Sequence, residues 1–408
     1  MKYMIFMNRC ISTNSIILIL LTGLLTHGCG LSEEEKGRSD SQYRVSDFMS
    51  GRDTALFKRA DKPRPIQFPR DLGAHPAYKT EWWYYTGNLS ADNGRRFGYE
   101  LTIFRSGLRP DALKIGNPSA WRTKHLYMAH LAITDAAGEE FYSYERYARG
   151  AAGLAGAQSD PFKVWLENWQ VRRGSESSLS SGKKIPDMLL QAQAEPISLD
   201  LRLQSVKPPV LQGDRGLDQK GPESGNASYY FSLTRLESKG TLSIGKKSFE
   251  VTGWSWMDRE WSTSALGKDQ VGWDWFALQL SDNREIMYYR LCNKDGSASA
   301  YSNGVIIDST GQKISIAPDD ISIAPQAYWT SPTTGVRYPV RWQMNIPEQN
   351  IKLEIIPLLE NQELQTRFKY WEGAVSIIGK YKNETLDGYG YVELTGYDDE
   401  VNRGSSKR

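Results

Sequence analysis

From about Phe68 to residue 400 the chain is a succession of short runs in which apolar and polar side chains alternate, broken by clusters of Gly, Asp, Asn, Ser and Lys. A period of two is the pattern of a strand with one buried face. "EWWYYTGNL" and "RFGYELTIFR" are joined by "SADNG", a hairpin signal. "KHLYMAHLAITDAAGEEFYSYERY" repeats the scheme with "DAAG" as its turn. "ESKGTLSIGKKSFEVTGWSWM" reads as two more hairpins, turning at "SKG" and "GKK". Further strands are expected in "WDWFALQLSDNREIMYYRL", "AYSNGVIID", "KLEIIPLL" and "GYGYVELTGY". No long segment carries helical periodicity. Many short strands at regular spacing predict an all-β protein built from sandwiches or barrels.

The pattern also repeats. When "WWYYTGNLSADNGRRFGYE" is laid on "WDWFALQLSDNREIMYYR", Trp82, Tyr84, Leu89 and Ser90 meet Trp273, Trp275, Leu280 and Ser281. A gap of one residue brings Asp92-Asn93 onto Asp282-Asn283 and Tyr99 onto Tyr289. The expectation is two similar β units, 65–248 and 249–400, with "LQGDRGLDQKGPESGNAS" a long loop inside the first and 401–408 a disordered tail.

The N-terminus departs from this pattern. Lys2 and Arg9 precede the apolar run "SIILILLTGLL", too short to stay as a membrane span, and "LTHGCG" follows. Residues 1–28 are expected to be a signal peptide of lipoprotein type, with Cys29 lipidated and 29–64 a polar, flexible tether. That implies a place in the cell envelope, anchored to a membrane on the periplasmic side, or secretion. Two acyl chains on one cysteine are enough for stable anchoring. Cys292 is then the lone remaining cysteine and has no internal disulfide partner.

Composition narrows the function. Lys2 and Arg9 are the only charged residues in the first 28; taking them from the 50 basic residues leaves 48, against 48 acidic ones. A neutral chain has no electrostatic footprint for nucleic acid. There are 13 Trp and 22 Tyr, residues that favour strands and the walls of apolar pockets. Only His75, His125 and His130 follow the leader, and "KHLYMAH" puts two of them on opposite faces of a strand, poor geometry for a shared metal. No metal and no cofactor are expected. No G-x-S-x-G elbow is present.

The densest chemistry is "VTGWSWMDREW". As a strand, one face carries Thr252, Trp254, Trp256, Asp258 and Glu260, and the other Gly253, Ser255, Met257, Arg259 and Trp261. A carboxyl group beside indoles is pushed toward its protonated form and can then donate a proton, while indole faces stabilise positive charge nearby. The same triplet also suits a salt-bridge cluster that closes a barrel. "EWWYYTG" poses the same choice, with Glu81, Trp83 and Tyr85 on one face and Trp82 and Tyr84 on the other. Trp82, Trp83, Tyr85, Glu100 on the paired strand, and His75 are candidates for lining a ligand, or else for core packing.

These segments, with "HLAITD", "YYFSLTRL", "GWDWFALQL" and "YWEGAV…GYGYVELTGY", resemble the AttH-like branch of the family that includes carotenoid 1,2-hydratase, over about residues 70–400. The resemblance implies two lipocalin-like β-barrels packed together. It implies an apolar ligand and cofactor-independent chemistry, either hydration of a double bond or hydrolysis, as in relatives labelled predicted secreted hydrolases. Within "MDREW", Asp258 and Trp261 match the hydratase pattern, while Arg259 stands in place of a histidine and Glu260 in place of an amide. The catalytic set so implied is Asp258 as acid, Glu260 as water orienter, Arg259 fixing Asp258 or binding an anionic headgroup, and a retained tyrosine, Tyr288 or Tyr289, with Tyr288 taken as the hydrogen-bond donor. Trp254, Trp256, Trp261, Trp273 and Trp275 form the aromatic wall. Relatives encoded beside ABC transporters keep a second reading open, a carrier that hands apolar cargo to an export system.

Overall fold

The computed structural model describes residues 54–110, 119, 122–174, 185–264, 266–267, 269–367, 369–382 and 384–398. The expected signal peptide, Cys29, most of the tether and the tail lie outside the described residues.

The first sheet holds β1 (Thr80–Ala91), β2 (Arg96–Gly107), β3 (His125–Asp135), β4 (Glu140–Arg149), β5 (Ala155–Ser159), β6 (Phe162–Leu166), β7 (Trp169–Arg173), β8 (Met188–Ala194), β9 (Ile197–Ser205), β10 (Val210–Leu211), β11 (Leu217–Gln219), β12 (Ala227–Ile244) and β13 (Lys247–Ser262). The second holds β14 (Gln270–Leu280), β15 (Glu285–Asn293), β16 (Asn303–Ile307), β17 (Lys313–Ile316), β18 (Ser322–Thr330), β19 (Arg337–Ile346), β20 (Ile351–Pro357), β21 (Glu363–Gln365), β22 (Lys369–Tyr381) and β23 (Glu384–Leu394). The described regular structure is therefore strands and a few 3-10 turns, as the alternation predicts.

The repeat is topological as well as sequential. The first sheet runs β4-β3-β2-β1-β13-β12 and on to β9-β8-β7-β6-β5; the second runs β17-β16-β15-β14-β23-β22 and on to β20-β19-β18. In each, the opening strand pairs with the second strand on one side and the last strand on the other. Each curled sheet wraps its own apolar core, one centred on Trp83, Tyr99, Trp169 and Trp261, the other on Phe276, Trp342, Met344 and Trp371. A third cluster, with Trp82, Tyr84, Trp256, Trp275 and Tyr289, lies where the two sheets face each other. That arrangement explains a local anomaly. β1 is buried at nearly every position because its second face is covered too, whereas β19 keeps its alternation because its second face meets solvent.

Three boundaries are corrected. The split at 248/249 cuts a hairpin: β13 pairs with β12 along most of its length and closes the first sheet against β1, so the first unit runs to Ser262 and the second begins at Gln270. The turn read at "SKG" does not exist. Ser238, Lys239 and Gly240 lie inside β12, paired on both sides. Gly240 is there because a Cβ would sit 2.0 Å from the Asp200 carbonyl oxygen, a close backbone approach rather than a bend. The tether is also shorter than expected, since Phe57 and Ala60 are buried and the Lys58 N–H donates to the Ala77 carbonyl.

The sheets meet tightly. A Cβ on Gly98 would lie 2.4 Å from that of Ala374. Gln279 donates across to the carbonyls of Thr234 and Ser255, and Asn88 to that of Gly390. Glu285 of β15 takes Lys207 and Arg235 as partners from the first unit.

Candidate active site between the two sheets

The β1–β13 register sets Tyr84 opposite Asp258 and Trp82 opposite Glu260, all on the face turned toward the second sheet. β12 adds Tyr230 and Ser232 beside the same two carboxyl groups. β14 supplies Trp273 and Trp275, β15 Tyr289 and Leu291, β22 Tyr370 and β23 Glu393. Phe104, Met128 and His130 come from β2 and β3, and Lys220 from the segment after β11. Together these enclose a cavity of about 90 Å3. Trp275 spans it: its ring meets Tyr84 edge-on at 5.1 Å and Trp256 at 6.3 Å, and its Nε1–H reaches the Tyr230 oxygen at 3.4 Å.

Asp258 is 3% exposed. Its Oδ1 accepts from Ser232 at 2.6 Å and from the Trp256 indole at 2.7 Å, and its Oδ2 accepts from Tyr230 at 2.5 Å. Burial pushes the carboxyl up, the three donors hold it back, and it settles at about 6. Glu260 is pushed to about 7, again by burial, with Lys220 Nζ at 3.5 Å opposing. Burial disfavours the charge of Lys220, but Asp218 at 2.6 Å and Glu260 more than offset that, and the ammonium sits 3.9 Å over the Tyr289 ring. The Tyr289 hydroxyl in turn donates to Asp218 at 2.9 Å.

A third carboxyl group enters from the other wall. Glu393, opposite Trp275 in register, accepts the Trp273 indole N–H at 3.1 Å and is pushed by burial to about 8. It lies across the β22–β23 ladder from Glu372, which burial and the neighbouring Glu100 push well above the carboxylate range. Tyr84 donates to Glu372, and the Tyr370 hydroxyl, also against Glu372, hydrogen-bonds His130 Nδ1. Glu100 is fully buried, and that burial raises it to about 8 against the opposing pull of Thr102.

The structure divides the residues expected from sequence. Asp258, Glu260, Trp82, Trp273 and Trp275 line the cavity, and Trp256 stands behind Asp258. Trp83, Tyr85 and Trp261 do not: strand alternation turns them into the core of the first sheet. Arg259 goes with them. It pairs with Glu81, donates to the Gly73 carbonyl at 2.6 Å and lies 4.0 Å over Trp83, so it cannot fix Asp258 or meet a headgroup in the cavity. His75 stacks on Trp261 at 3.8 Å and bonds Asp71, inside the same network. Trp254 is half-buried and lies beyond the cavity, with the Arg235 guanidinium 5.3 Å above its ring. Tyr288 faces the core of the second sheet; its neighbour Tyr289 is the cavity residue, by the same alternation. Glu100 lies behind the cavity wall, next to Glu372 and Glu393, rather than on the surface a ligand touches.

Lys220, Tyr230, Tyr370, His130 and Glu393 were missed as site residues, and Tyr289 was only the alternative to Tyr288. Glu393 had a signal, a single charge inside the apolar strand "GYGYVELTGY". Lys220 had none, since it falls in a stretch that reads as loop. Among the described residues no three His, Cys, Asp or Glu side chains are placed to hold a metal ion.

The AttH-like family profile matches residues 59–397, and the chain belongs to that family. It is similar to kievitone hydratase of Fusarium solani subsp. phaseoli, 22% identical over 50% of this chain and 58% of the relative, and to the dehydratase asqC of Emericella nidulans, 22% identical over 55% and 65%. The matched segments thus span under two thirds of these curated relatives. A solved structure of a putative AttH from Nitrosomonas europaea superposes with a TM-score of 0.72 at 31% identity, covering 84% of this chain and all of that one.

Proposed function

We propose that this protein is a hydro-lyase that adds water to, or removes it from, an apolar substrate held between the two sheets. The observation that carries this reading is a pair of carboxyl groups of different proton affinity on opposite walls of one aromatic cavity, Asp258 at about 6 and Glu393 at about 8. Near neutral pH the first is mostly an anion and the second mostly an acid, which is how an acid–base pair divides its labour. This reverses the part that the sequence suggests for Asp258. In hydration, Glu393 gives its proton to one alkene carbon. The indole faces of Trp82, Trp273 and Trp275 stabilise the cation that forms on the other. Water adds there and loses a proton to Asp258, whose three donors leave one of about four lone-pair sites free. Dehydration is the same path reversed. Glu260 and Lys220 orient the water on the Asp258 wall.

The hydratase and dehydratase among the relatives support the reaction class. No observation favours a passive carrier, for which buried carboxyl groups are a cost with no return. The test is incubation in 18O-labelled water with the total organic extract of the cells that make the protein, read by mass spectrometry. A compound should gain or lose labelled water with the protein present, and Asp258→Asn and Glu393→Gln should each slow this by about 10²–10⁴-fold with the fold intact. Equal rates in both variants would overturn the assignment.

A further inference from the structure

The acid of such a site must be reloaded at every turnover. Each addition of water moves one proton from Glu393 to carbon and one from water to Asp258. The protein's proton count is unchanged, but the proton is on the wrong carboxyl group. Asp258 can release its proton to water in the cavity. Glu393 needs a supply that remains open when an apolar substrate fills the space in front of it.

We propose that His130 is the outer station of a proton relay that links Glu393 to solvent through Tyr370, Glu372 and Tyr84, with Glu145 at its mouth. The hydro-lyase reading gives the relay its purpose; its path stands on geometry. His130 and Glu145 are directly opposed across β3 and β4, and Nε2 lies 3.3 Å from the Glu145 carboxylate. His130 is 1% exposed while the Glu145 side chain is 14% exposed, so the pair spans from interior to surface. Outside it, Glu145 accepts the Tyr147 hydroxyl at 2.7 Å and faces the Arg367 N–H at 3.3 Å. Inside it, the Tyr370 hydroxyl bonds His130 Nδ1. Tyr370 and Glu372 are two residues apart on β22 and share a face. Glu372 is held by Tyr84 and opposes Glu393 across the ladder.

Each member of the chain can accept one proton while giving up another. A proton taken up at Nε2 lets the Nδ1–H proton pass to Tyr370, whose own proton moves to Glu372; the Tyr84 hydroxyl, which donates to Glu372 at rest, turns to give its proton to Glu393 and takes one from Glu372 in exchange. Glu372 is where the two tyrosines meet: Tyr84 donates to it, and Tyr370 lies against it.

The test reads proton movement without substrate. The infrared C=O band of the buried carboxylic acids, assigned by the part lost in Glu393→Gln, is followed after rapid transfer of the full chain into D2O. His130→Ala should slow its exchange by more than about tenfold, imidazole in the buffer should restore it, and Glu145→Gln should slow it as well. Glu348→Gln, an exposed carboxyl group outside the cavity, should leave it unchanged. Wild-type exchange in folded His130→Ala overturns the relay. So does slowing that imidazole does not repair while Glu145→Gln exchanges normally. If His130→Ala does not fold, Glu145→Gln decides in the same way. The labelled-water experiment fails or succeeds separately, so loss of the relay and loss of the hydro-lyase reading are told apart.

Discussion

The two faces of one strand pair carry carboxyl groups with opposite fates. On the inner face of β1 and β13, Glu81 is enclosed by Arg105, Arg259 and the His75 N–H. Burial alone would raise it, but the two guanidiniums overwhelm that and hold it well below the ordinary range. On the outer face, one residue along from Arg259, Asp258 meets hydroxyls and an indole, and Glu393 opposite it meets an indole. Both rise. A buried acid beside cations is a fixed charge and serves structure. The same group among aromatics and hydroxyls keeps a movable proton and serves chemistry.

The largest effect should come from breaking the inner cluster. Glu81→Ala leaves two buried guanidiniums without their carboxylate and should cost about 3–5 kcal/mol in urea unfolding. A cost near zero would mean that the inner face is not the structural half of the pair.

The outer face is tested through pH. Glu100 carries a proton in the folded state up to about 8, against an ordinary value of 4.5. Between those limits the native protein binds more protons than the unfolded chain, so stability is highest below the window and falls as pH rises through it. Glu100→Gln should flatten that fall, making the variant more stable than the parent at pH 8 and nearly equal at pH 5. The effect extends to Glu372, whose pKa Glu100 helps to raise. Thermal unfolding across this range checks it, and parallel curves would contradict the assignment.

The smallest effect sharpens the comparison on adjacent residues. Tyr289→Phe removes one donor to the buried Asp218 carboxylate, which keeps Lys220 and Asn303, and should cost about 1–3 kcal/mol. Tyr288→Phe removes a hydroxyl from the core side of the second sheet and should cost under about 0.5 kcal/mol. Equal losses would mean that alternation does not separate their roles.

Much of this molecule was legible as sequence. Alternation with turn residues marked β1–β4, β12–β16, β20 and β23, though it read a turn at Ser238–Gly240 that is strand, and the repeat of Trp82 and Tyr84 in Trp273 and Trp275 determined that two sheets open alike, because both are properties of neighbours along the chain. Alternation also divided Asp258 and Glu260 from Arg259 and Trp261. It could not say which face was the site, since Glu81 and Arg259 looked as chemical as Asp258. Only tertiary structure decided that, by seating the second sheet on one face and an apolar core on the other. It also brought Glu393, Lys220 and Tyr289 to Asp258 from strands and a loop far along the chain. The proton affinity of a carboxyl group is set by what surrounds it in space, and sequence reports only what adjoins it along the backbone.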